Sequence, residues 1–371
     1  MSDTVYMQRV LELAAQGRGW TSPNPMMGAV VVKNDQIIGE GFHPQAGQPH
    51  AEKYALDVAK DEAHGATLYL NIEPCMSPSH HCVSRIVDAG IRRVVVATAD
   101  PNPNTSLKGI RALQDAGIEV EVGVEAEAAK KLNEIYFKYI VTKRPFVAIK
   151  AATSLDGKIR TTASDSEWIV GKESNDHHHE LRATFDAVMV GINTILREDP
   201  DIVCRLPRAH NPLRIVVDSM ARTPVNCRLF NKPGTGLLRP NTLIVTAKDA
   251  PEDRIRSLQA IGAEVLVCPE LDGGLDSRVD LNKLMQVLGR RGIASILVEG
   301  GATLNASALA EGIVDKLYRY VAPKIIGGTD VPTMFGGMGV AFIEEAPALY
   351  RMTARALGSD LLIEAYLRSE D

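Results

Sequence analysis

The chain has 371 residues, of which 45% are hydrophobic and 23% charged, a size and composition typical of two globular domains. Its 41 basic and 46 acidic residues leave a formal charge of −5, and no basic run marks a nucleic-acid-binding surface. The N-terminus lacks the pattern of a secretory signal, no apolar run is long enough to span a bilayer, and the five cysteines are sparse. These features predict a cytoplasmic protein without a disulfide framework.

The first half of the chain alternates predicted helices and strands. Apolar spacing predicts a helix over residues 6–15, and residues 28–33 and 36–41 read as two strands of a hairpin. Helix and strand patterns then alternate over residues 50–60, 67–72, 82–90 and 93–99. Two such crossovers predict parallel pairing and a sheet that is covered on both faces.

A short stretch, residues 49–82, carries the chemistry predicted for this half. It contains Pro49-His50-Ala51-Glu52, then Glu73-Pro74-Cys75, six further residues, and Cys82. One imidazole and two thiolates suit a tetrahedral zinc whose fourth position takes water, and a nearby carboxylate can transfer protons. The pattern is that of zinc nucleobase deaminases, with a wider second gap. It predicts His50, Cys75 and Cys82 as zinc ligands and Glu52 as the proton carrier.

A closed structural zinc site is the main alternative for these residues. It requires a fourth protein ligand, and His80 and His81 are close enough in sequence to provide one. A closed site leaves Glu52 without a function, which favours the open, catalytic site. Asn24 and His43 stand at the two ends of the predicted hairpin, within reach of a ligand above the zinc.

The second half begins after a charged helical stretch over residues 125–143, which ends at Lys143-Arg144-Pro145. We place the domain boundary there, which gives domains of residues 1–144 and 145–371. Seven strand-like runs follow, separated by helix-length gaps, at residues 146–152, 187–191, 213–218, 243–247, 264–267, 295–298 and 317–321. This alternation predicts a largely parallel sheet with helices on both sides and ligands at the carboxyl ends of its strands.

Several strand ends in this half carry candidate binding residues. Residues 296–305 read as a strand, a Gly300-Gly301 turn and a helix start, where backbone amides can bind phosphate, although a tight turn without a ligand is the alternative. Lys150 and Glu299 end two strands, where a structural salt bridge is the simplest interpretation. Arg182 and Arg205 are candidates for a bidentate phosphate contact. Three histidines at 177–179 are predicted to form a solvated helix face.

Together these motifs resemble the bifunctional riboflavin-biosynthesis family, in which a pyrimidine deaminase is fused to a pyrimidine reductase. In the first half the resemblance rests on Asn24-Pro25, Gly28-Ala29-Val30, Gly39-Glu40-Gly41-Phe42-His43, Pro49-His50-Ala51-Glu52, Glu73-Pro74-Cys75 and Asp100-Pro101-Asn102-Pro103. In the second half it rests on Ser154-Leu155-Asp156-Gly157-Lys158, Ser166, Trp168, Val298-Glu299-Gly300-Gly301 and Ala322-Pro323-Lys324-Ile325-Ile326-Gly327-Gly328. The motifs follow the family's order along nearly the whole chain.

The resemblance implies a cytidine-deaminase-like three-layer α/β/α domain followed by a dihydrofolate-reductase-like α/β domain. It implies hydrolytic deamination of 2,5-diamino-6-ribosylamino-4(3H)-pyrimidinone 5′-phosphate, and then NADPH-dependent reduction of the ribosyl group to ribityl. Zn²⁺ and NADPH are the expected cofactors. The expected partners are this small phosphorylated pyrimidine and further copies of the chain in a homo-oligomer, without nucleic acid or membrane.

The resemblance also implies site residues by motif position. Reductase substrate contacts are expected at Ser166, Arg182, Ile202, Arg205 and Glu299, with Lys150 holding the sugar chain. Cofactor contacts are expected at Ala152, Trp168, Thr194, Glu198, Ser219, Gly301, Ala302, Thr303, Leu304, Asn305, Ala306 and Ser307. Substrate contacts in the deaminase half are expected at Asn24, His43, Asp100 and Asn102.

One departure from the family bears on the deaminase half. The loop from Cys75 to Cys82 is two residues shorter than is usual, and Ser77 replaces an early histidine, for which His80 or His81 is the candidate substitute. Two rival functions therefore stay open. One is a nucleic-acid or free-nucleoside deaminase whose second half binds RNA, which the acidic balance disfavours. The other is a degenerate deaminase domain that serves as a zinc-stabilised scaffold beside an active reductase.

Overall fold

The structure is a computed structural model that describes residues 2–76, 80–163, 169–207, 209–230, 241–268 and 278–368. The chain divides into two units, Met1–Lys143 and Arg144–Asp371. Both units are α/β, which confirms the predicted fold class. Among the residues so described, no helix is both long enough and apolar enough to cross a membrane.

The first unit contains one five-stranded sheet and six α-helices among its described residues. The strands are β1 (Gly28–Lys33), β2 (Gln36–Phe42), β3 (Thr67–Leu70), β4 (Arg93–Val96) and β5 (Glu119–Val122). The helices are α1 (Asp3–Ala15), α2 (Ala51–Ala59), α3 (Cys82–Asp88), α4 (Lys108–Asp115), α5 (Ala126–Leu132) and α6 (Glu134–Thr142). The strand order is β2-β1-β3-β4-β5, antiparallel at β2-β1-β3 and parallel from β3 to β5.

Alternating side chains of this sheet are buried in two separate cores. Val31, Leu68 and Val94 pack in one core with apolar residues of α2 and α3. Val30 and Val95, which point to the other face, pack with apolar residues of α1 and α5. The sheet therefore has helices on both faces, in agreement with the predicted three-layer arrangement.

Two glycines of β2 allow α2 to pack directly against the sheet. A Cβ atom at Gly39 would lie 2.2 Å from the Ala55 carbonyl oxygen, and one at Gly41 would lie 2.6 Å from the Ala51 carbonyl oxygen. Neither distance is possible for a real side chain, so the close approach requires glycine. This contact fixes the start of α2, where His50 is the N-cap residue and Glu52 lies in the first turn.

The second unit contains a nine-stranded sheet. Its strands are β6 (Phe146–Ser154), β7 (Ala187–Gly191), β8 (Leu213–Val217), β9 (Thr242–Thr246), β10 (Glu264–Val267), β11 (Ser295–Val298), β12 (Lys316–Ala322), β13 (Tyr350–Leu357) and β14 (Asp360–Tyr366). Its helices are α7 (Lys172–Thr184), α8 (Ile192–Glu198), α9 (Glu252–Ala260), α10 (Leu281–Arg290) and α11 (Ala302–Ala310). All seven predicted strands form, and β13 and β14 were not predicted.

The strand order of this sheet is β10-β9-β8-β7-β11-β6-β12-β14-β13. Pairing is parallel from β10 to β12 and antiparallel where β14 joins β12 and β13. Apolar residues of α10 and α11 cover one face of the sheet. Because β6, β11, β7 and β8 are parallel neighbours, their carboxyl ends meet at one edge, the usual ligand-binding edge of such sheets.

Candidate active sites

The three predicted zinc ligands lie together in the first unit. His50 precedes α2, Cys75 follows β3, and Cys82 is the first residue of α3. The Sγ atoms of Cys75 and Cys82 are 3.3 Å apart, and His50 Nδ1 lies 3.6 Å from the first and 3.3 Å from the second. Ligands around a tetrahedral zinc with ordinary bond lengths are separated by roughly 3.5–3.8 Å. Two of the three observed separations are slightly shorter than this range and the third lies within it, so the three donor atoms are close enough to share one ion, and their chemistry suits zinc.

Among the described residues, the cluster offers three candidate ligands rather than four. Where the chain is described, the group able to hold a metal consists of His50, Cys75 and Cys82, without His80 or His81. The His80 ring stacks on the His50 ring instead, with their centroids 3.9 Å apart. These positions favour the open site over the closed structural one. Ser77, which the sequence singled out, lies outside the described residues.

Glu52 lies beside the cluster in a buried position. Its residue exposure is 3%, and its Oε2 atom has no hydrogen-bond partner in the described parts of the structure. Burial raises the pKa of this carboxyl group. Because buried polar atoms normally have a partner, the unsatisfied oxygen is consistent with a site where water or substrate binds.

The two thiols and the imidazole form a donor set that suits a divalent cation. Without one, the hydrogen bond with Cys75 and burial raise the pKa of the Cys82 thiol. A coordinated divalent cation has the opposite effect, because a metal-bound thiol is deprotonated. Two sulfurs in van der Waals contact, with an imidazole nitrogen beside them, are thus best explained as metal ligands.

His43 and Asn24, the two predicted ligand contacts, differ in their surroundings. His43 is fully buried, its Nδ1 lies 2.9 Å from the Pro49 carbonyl oxygen, and its ring meets the edge of His50 at a centroid distance of 5.1 Å. Its Nε2 has no partner among the described atoms. Asn24 is half-buried in the loop before β1, and its backbone N–H donates to the Thr21 carbonyl oxygen at 2.7 Å.

Asp100 and Asn102 form hydrogen bonds within their own loop, and Asp100 also accepts one from α6. Asp100 Oδ1 accepts from the Tyr136 hydroxyl at 2.9 Å and from the Asn102 backbone N–H at 3.0 Å, while Oδ2 accepts from the Thr105 hydroxyl at 3.1 Å. Asn102 Oδ1 accepts from the Asn104 backbone N–H at 3.1 Å. Both side chains therefore shape the loop that follows β4.

Glu73 has a role that the sequence did not reveal. Its buried carboxylate accepts hydrogen bonds from four backbone N–H groups, at 3.0, 2.9, 2.8 and 3.2 Å, those of Asp100, Leu107, Gly109 and Ile110. It thereby ties the segment that carries Cys75 to the loop after β4 and to the start of α4. The Glu-Pro-Cys motif was the only signal, and it did not indicate these distant partners.

In the second unit, Glu299 and Arg182 form a buried, bidentate ion pair. Arg182 Nε donates to Glu299 Oε1 at 2.7 Å and Nη2 donates to Oε2 at 2.6 Å. His178 Nε2 lies 2.7 Å from the same Oε1. Burial alone would raise the pKa of Glu299, but Arg182 and His178 hold it well below its usual value. The sequence placed a structural salt bridge at Lys150 and Glu299, and in the described residues Glu299 forms its ion pair with Arg182 instead.

The prediction that residues 177–179 form a solvated helix face is wrong. His178 and His179 are buried, and His177 Nδ1 lies 2.7 Å from the Tyr320 hydroxyl. Burial lowers the pKa of His178 to about 3, so a neutral ring donates its N–H to Glu299. The acidic character of α7 suggested solvent exposure, but partners more than 100 residues away determine the burial.

Lys150 lies in β6, near this ion pair. Its strand pairs with β11, which leads into Glu299. Its Nζ lies 5.8 Å from the centre of the Tyr320 ring. Burial lowers the pKa of Lys150 to about 8, an effect that Glu299 opposes and Arg182 reinforces.

The remaining predicted substrate residues lie on the segment after α8. Ile202 is buried with a φ of 44°. Arg205 is largely exposed, its Nη2 lies 3.7 Å from Asp201 Oδ1, and its backbone N–H lies 3.4 Å from His179 Nδ1. Arg182 Nη1 donates to the Val203 carbonyl oxygen at 2.8 Å. Ser166 lies outside the described residues.

A cavity of about 490 Å³ lies at the carboxyl edge of the sheet. Most of the predicted cofactor residues line it: Thr194, Glu198, Ser219, Gly301, Ala302, Thr303, Leu304 and Ser307. Ala152, Asn305 and Ala306 are not among its lining residues, and the Asn305 amide donates to the Met334 carbonyl oxygen at 2.9 Å. Trp168 lies outside the described residues.

Four arginines that the sequence analysis missed also line this cavity. They are Arg160, Arg197, Arg222 and Arg278. They are far apart in sequence, so no local pattern could have revealed them. Together with the first turn of α11, which offers free backbone N–H groups, they make a cationic cavity that fits the phosphates of a dinucleotide such as NADPH.

Comparisons with known proteins agree with these two sites. The family model of the cytidine and deoxycytidylate deaminase zinc-binding region matches residues 1–98. The model of the RibD C-terminal domain matches residues 145–363.

Relatives match along the whole chain. The riboflavin biosynthesis protein RibD of Actinobacillus pleuropneumoniae is 40% identical over 369 residues, which cover 98% of this chain and 95% of that protein. RibD of Escherichia coli K12 is 36% identical over 385 residues, covering 98% and 99%. A solved RibD structure from Acinetobacter baumannii matches with a TM-score of 0.85 at 33% identity, covering 98% of both chains.

A Thermotoga maritima structure matches similarly, with a TM-score of 0.81, 34% identity and 98% coverage of both chains. It is named as a diaminohydroxyphosphoribosylaminopyrimidine deaminase and 5-amino-6-(5-phosphoribosylamino)uracil reductase.

Proposed function

The chain belongs to the RibD family of bifunctional riboflavin-biosynthesis enzymes, and we propose that residues 1–144 carry its deaminase centre and residues 145–371 its reductase centre. It is a zinc-dependent deaminase and an NADPH-dependent reductase. The substrate that we propose is 2,5-diamino-6-ribosylamino-4(3H)-pyrimidinone 5′-phosphate, in keeping with the name of the similar Thermotoga enzyme.

In the deaminase, His50, Cys75 and Cys82 are the proposed zinc ligands and Glu52 the proton carrier. A bound zinc supplies a water molecule that ionises near neutral pH. The Glu52 carboxylate takes a proton at Oε2 and delivers it to the departing amino group, so that ammonia leaves and a carbonyl group replaces it. The single observation that carries this proposal is the buried Glu52 Oε2, which has no hydrogen-bond partner among the described residues, together with three donor atoms that lie within 4.8 Å of one another.

Asn24, His43, Asp100 and Asn102 are the proposed substrate contacts in this half. His43 has the strongest support, because its buried Nε2 has no partner in the described structure and its ring touches His50. Asp100 already accepts two hydrogen bonds within its loop and one from Tyr136 of α6, so its contribution is to hold the loop in a conformation that meets the base.

In the reductase, the cationic cavity is the proposed NADPH site, and the cofactor supplies the hydride. Its proposed contacts are Ala152, Trp168, Thr194, Glu198, Ser219 and residues 301–307. Substrate contacts are proposed at Lys150, Ser166, Arg182, Ile202, Arg205 and Glu299. The ion pair suggests that Arg182 orients Glu299, whose carboxylate stays ionised and can accept bonds from sugar hydroxyls.

We propose that the chain forms a homo-oligomer through the β13 side of its second unit. β13 is the last strand of the sheet, and nearly all of its residues are exposed. Met338, Phe342, Ile343 and Met352 add exposed apolar surface in and before this strand. An open strand edge with apolar side chains favours pairing with another chain. Charged substitution at Phe342 and Met352 is expected to reduce the sedimenting mass, whereas an unchanged mass would contradict the proposal.

We also propose a cytoplasmic location. None of the five cysteines forms a disulfide bond in the structure, and two of them serve as thiolate ligands in the proposed deaminase. Thiols of this kind persist where the compartment keeps them reduced. Fractionation of cells that express the chain tests the location, and recovery of the chain from an oxidising compartment would contradict it.

The proposed deaminase is tested by Glu52→Gln in the zinc-loaded, full-length protein. Ammonia release from the diaminopyrimidine is expected to fall about 10²–10⁴-fold, the usual size of a general acid–base contribution, while zinc content stays unchanged. Glu62→Gln, at an exposed position, is the matched control and retains activity. Undiminished ammonia release by Glu52→Gln would exclude Glu52 as the proton carrier.

A further inference from the structure

A second, more open cavity of about 410 Å³ lies between the turn after β8 and helix α9. Its lining consists of Ala221, Arg222, Thr223, Val225, Arg254, Ser257 and Leu258. It shares Arg222 with the 490 Å³ cavity, so the two cavities adjoin at this side chain. Its described lining contains two arginines and no carboxylate, which makes it suited to an anion.

The position of this cavity in the sheet relates it to the cofactor site. The first turn of α11, which offers amides for a diphosphate, follows β11. Strand β7 separates β11 from β8, and Arg222 follows β8. Neighbouring strands are about 4.8 Å apart, so β8 lies roughly 10 Å from β11. A dinucleotide whose diphosphate lies at α11 can therefore extend its adenosine half towards Arg222.

The surroundings of Arg222 hold its guanidinium near the junction of the cavities. Asp218, fully buried at the end of β8, accepts from both the backbone N–H and the hydroxyl of Thr223 at 2.7 Å through Oδ2. Its Oδ1 lies 4.0 Å from Arg222 Nε. The arginine side chain remains 45% exposed. Arg222 thus lies near a buried carboxylate, is partly exposed and lines both cavities.

Arg254 and Arg256, both on α9, differ in their ion pairing and in whether they line the cavity. Arg256 forms an ion pair with Glu252 at 3.2 Å and does not line the cavity. Arg254 lines the cavity, and no carboxylate in the described residues lies within 4 Å of its guanidinium. Arg254 therefore has an unneutralised charge directed to the same space as Arg222.

We propose that Arg222 and Arg254 bind the 2′-phosphate that distinguishes NADPH from NADH, and that they set the cofactor preference of the reductase. This inference rests on the proposed function of the larger cavity as the NADPH site. A phosphate monoester carries nearly two negative charges near neutral pH, and guanidinium groups bind such oxygens in pairs of charge-assisted hydrogen bonds. NADH has only a hydroxyl group at that position and forms no such pairs.

The test measures binding of NADPH and of NADH to the full-length protein by nicotinamide fluorescence. Arg222→Gln and Arg254→Gln are each expected to weaken NADPH binding about tenfold or more and to change NADH binding less than about twofold. Adenosine 2′,5′-bisphosphate is expected to lose affinity in the same way, whereas adenosine 5′-monophosphate does not. Arg256→Gln, on the same helix, is the control and retains the affinity for both dinucleotides.

The outcomes separate this inference from the function on which it rests. Failure of the unsubstituted protein to bind NADPH at all would remove the proposed cofactor site. Tight NADPH binding that survives both substitutions would overturn only the role of the two arginines. Equal losses for NADPH and NADH would also overturn it, because they would show contact with the shared diphosphate. Retained NADH binding further shows that each variant is folded.

Discussion

Lys150 lies in the middle of β6 and Glu299 directly follows the neighbouring strand β11, but the two side chains have different charge environments. Glu299 is neutralised by Arg182 and hydrogen-bonded by His178. Lys150 is half-buried without such a bidentate partner, and desolvation lowers its pKa to about 8. A lysine whose pKa falls on folding reduces the stability of the folded protein wherever it is still charged. Its position in the proposed substrate site explains why such an unfavourable group is placed there.

Replacement of Lys150 by Met is therefore expected to stabilise the protein while it impairs reduction. At pH 7 the gain in the free energy of unfolding is about 1–3 kcal/mol. The gain shrinks as pH rises from about 8 towards 10.5, because the unsubstituted lysine then loses its proton in the folded state but not in the unfolded state. Urea denaturation at pH 7 and pH 9 measures it. Lys150→Arg keeps the charge and serves as control, and a pH-independent difference would refute this explanation.

The Glu73 carboxylate holds two segments of the first unit in position. It accepts four backbone N–H groups from residues 100–110 and lies two residues before Cys75. The proximity of these segments is enforced by Gly109, where a Cβ atom would lie 2.0 Å from the Pro74 carbonyl oxygen. The zinc-ligand segment and the loop after β4 are thus held as one structure.

Substitution of Glu73 by Ala is expected to lower the free energy of unfolding by about 3 kcal/mol, because four backbone donors, two of them buried, lose a charged acceptor. Ammonia release is expected to fall more than NADPH oxidation, since the affected segments belong to the first unit. Thermal denaturation and the two activity assays measure these effects. Glu62→Ala changes an exposed glutamate and should alter neither. Equal losses of both activities would argue against a local role for Glu73.

At the scale of elements, the packing of α2 on β2 determines the metal site. Gly39 and Gly41 bring the helix against the strand, and the helix in turn carries His50 and Glu52 at its start. The same helix face buries Ala51 and Ala55, both small residues. Small residues on both surfaces are therefore the sequence basis of this close contact.

Gly41→Ala is expected to move α2 outward, because the new Cβ would lie 2.6 Å from both the Ala51 carbonyl oxygen and the Tyr54 Cβ. The expected cost is about 1–3 kcal/mol, as for other overpacked positions. Zinc affinity should fall with it, since His50 moves with the helix; competition with a metal-binding dye measures this. Ile37→Ala, at an exposed position of the same strand, should keep zinc affinity. Unaltered zinc affinity in Gly41→Ala would contradict the coupling.

Sequence patterns predicted the apolar strands and missed three others. The strands β7, β10 and β11 have the predicted bounds because their apolar runs are short and end at clear turns. The alternation Glu-Val-Glu-Val of β5 is only four residues long, β13 has no buried residue, and β14 was missed although it contributes buried side chains. The zinc ligands could be predicted because the motif is local. The arginines of the cavity and the partners of Glu299 and Glu73 could not, because folding brings them together from distant positions.

At the scale of the whole molecule, each unit contains the residues for one reaction. The metal cluster and Glu52 belong to Met1–Lys143, and the cationic cavity and the Arg182–Glu299 pair belong to Arg144–Asp371. The residues named for each site all come from one unit. The two steps should therefore respond independently to perturbations that affect only one centre.

Removal of zinc with a chelator is expected to abolish ammonia release and to leave NADPH oxidation intact when the deaminated intermediate is supplied. The reason is that only the first unit holds the proposed metal ligands. A sequential assay that follows ammonia and NADPH absorbance in one sample measures both steps, and restored zinc should recover the first. Loss of NADPH oxidation on chelation would show that the second centre also depends on the metal.

X-ray absorption at the zinc edge of the full-length protein tests most directly whether the metal has three protein ligands and an open position. We expect two sulfur ligands, one imidazole and one further oxygen from water, and the same spectrum for His80→Ala. A second imidazole in the spectrum that disappears in His80→Ala would mean that the fourth position is closed, and it would contradict the deaminase mechanism.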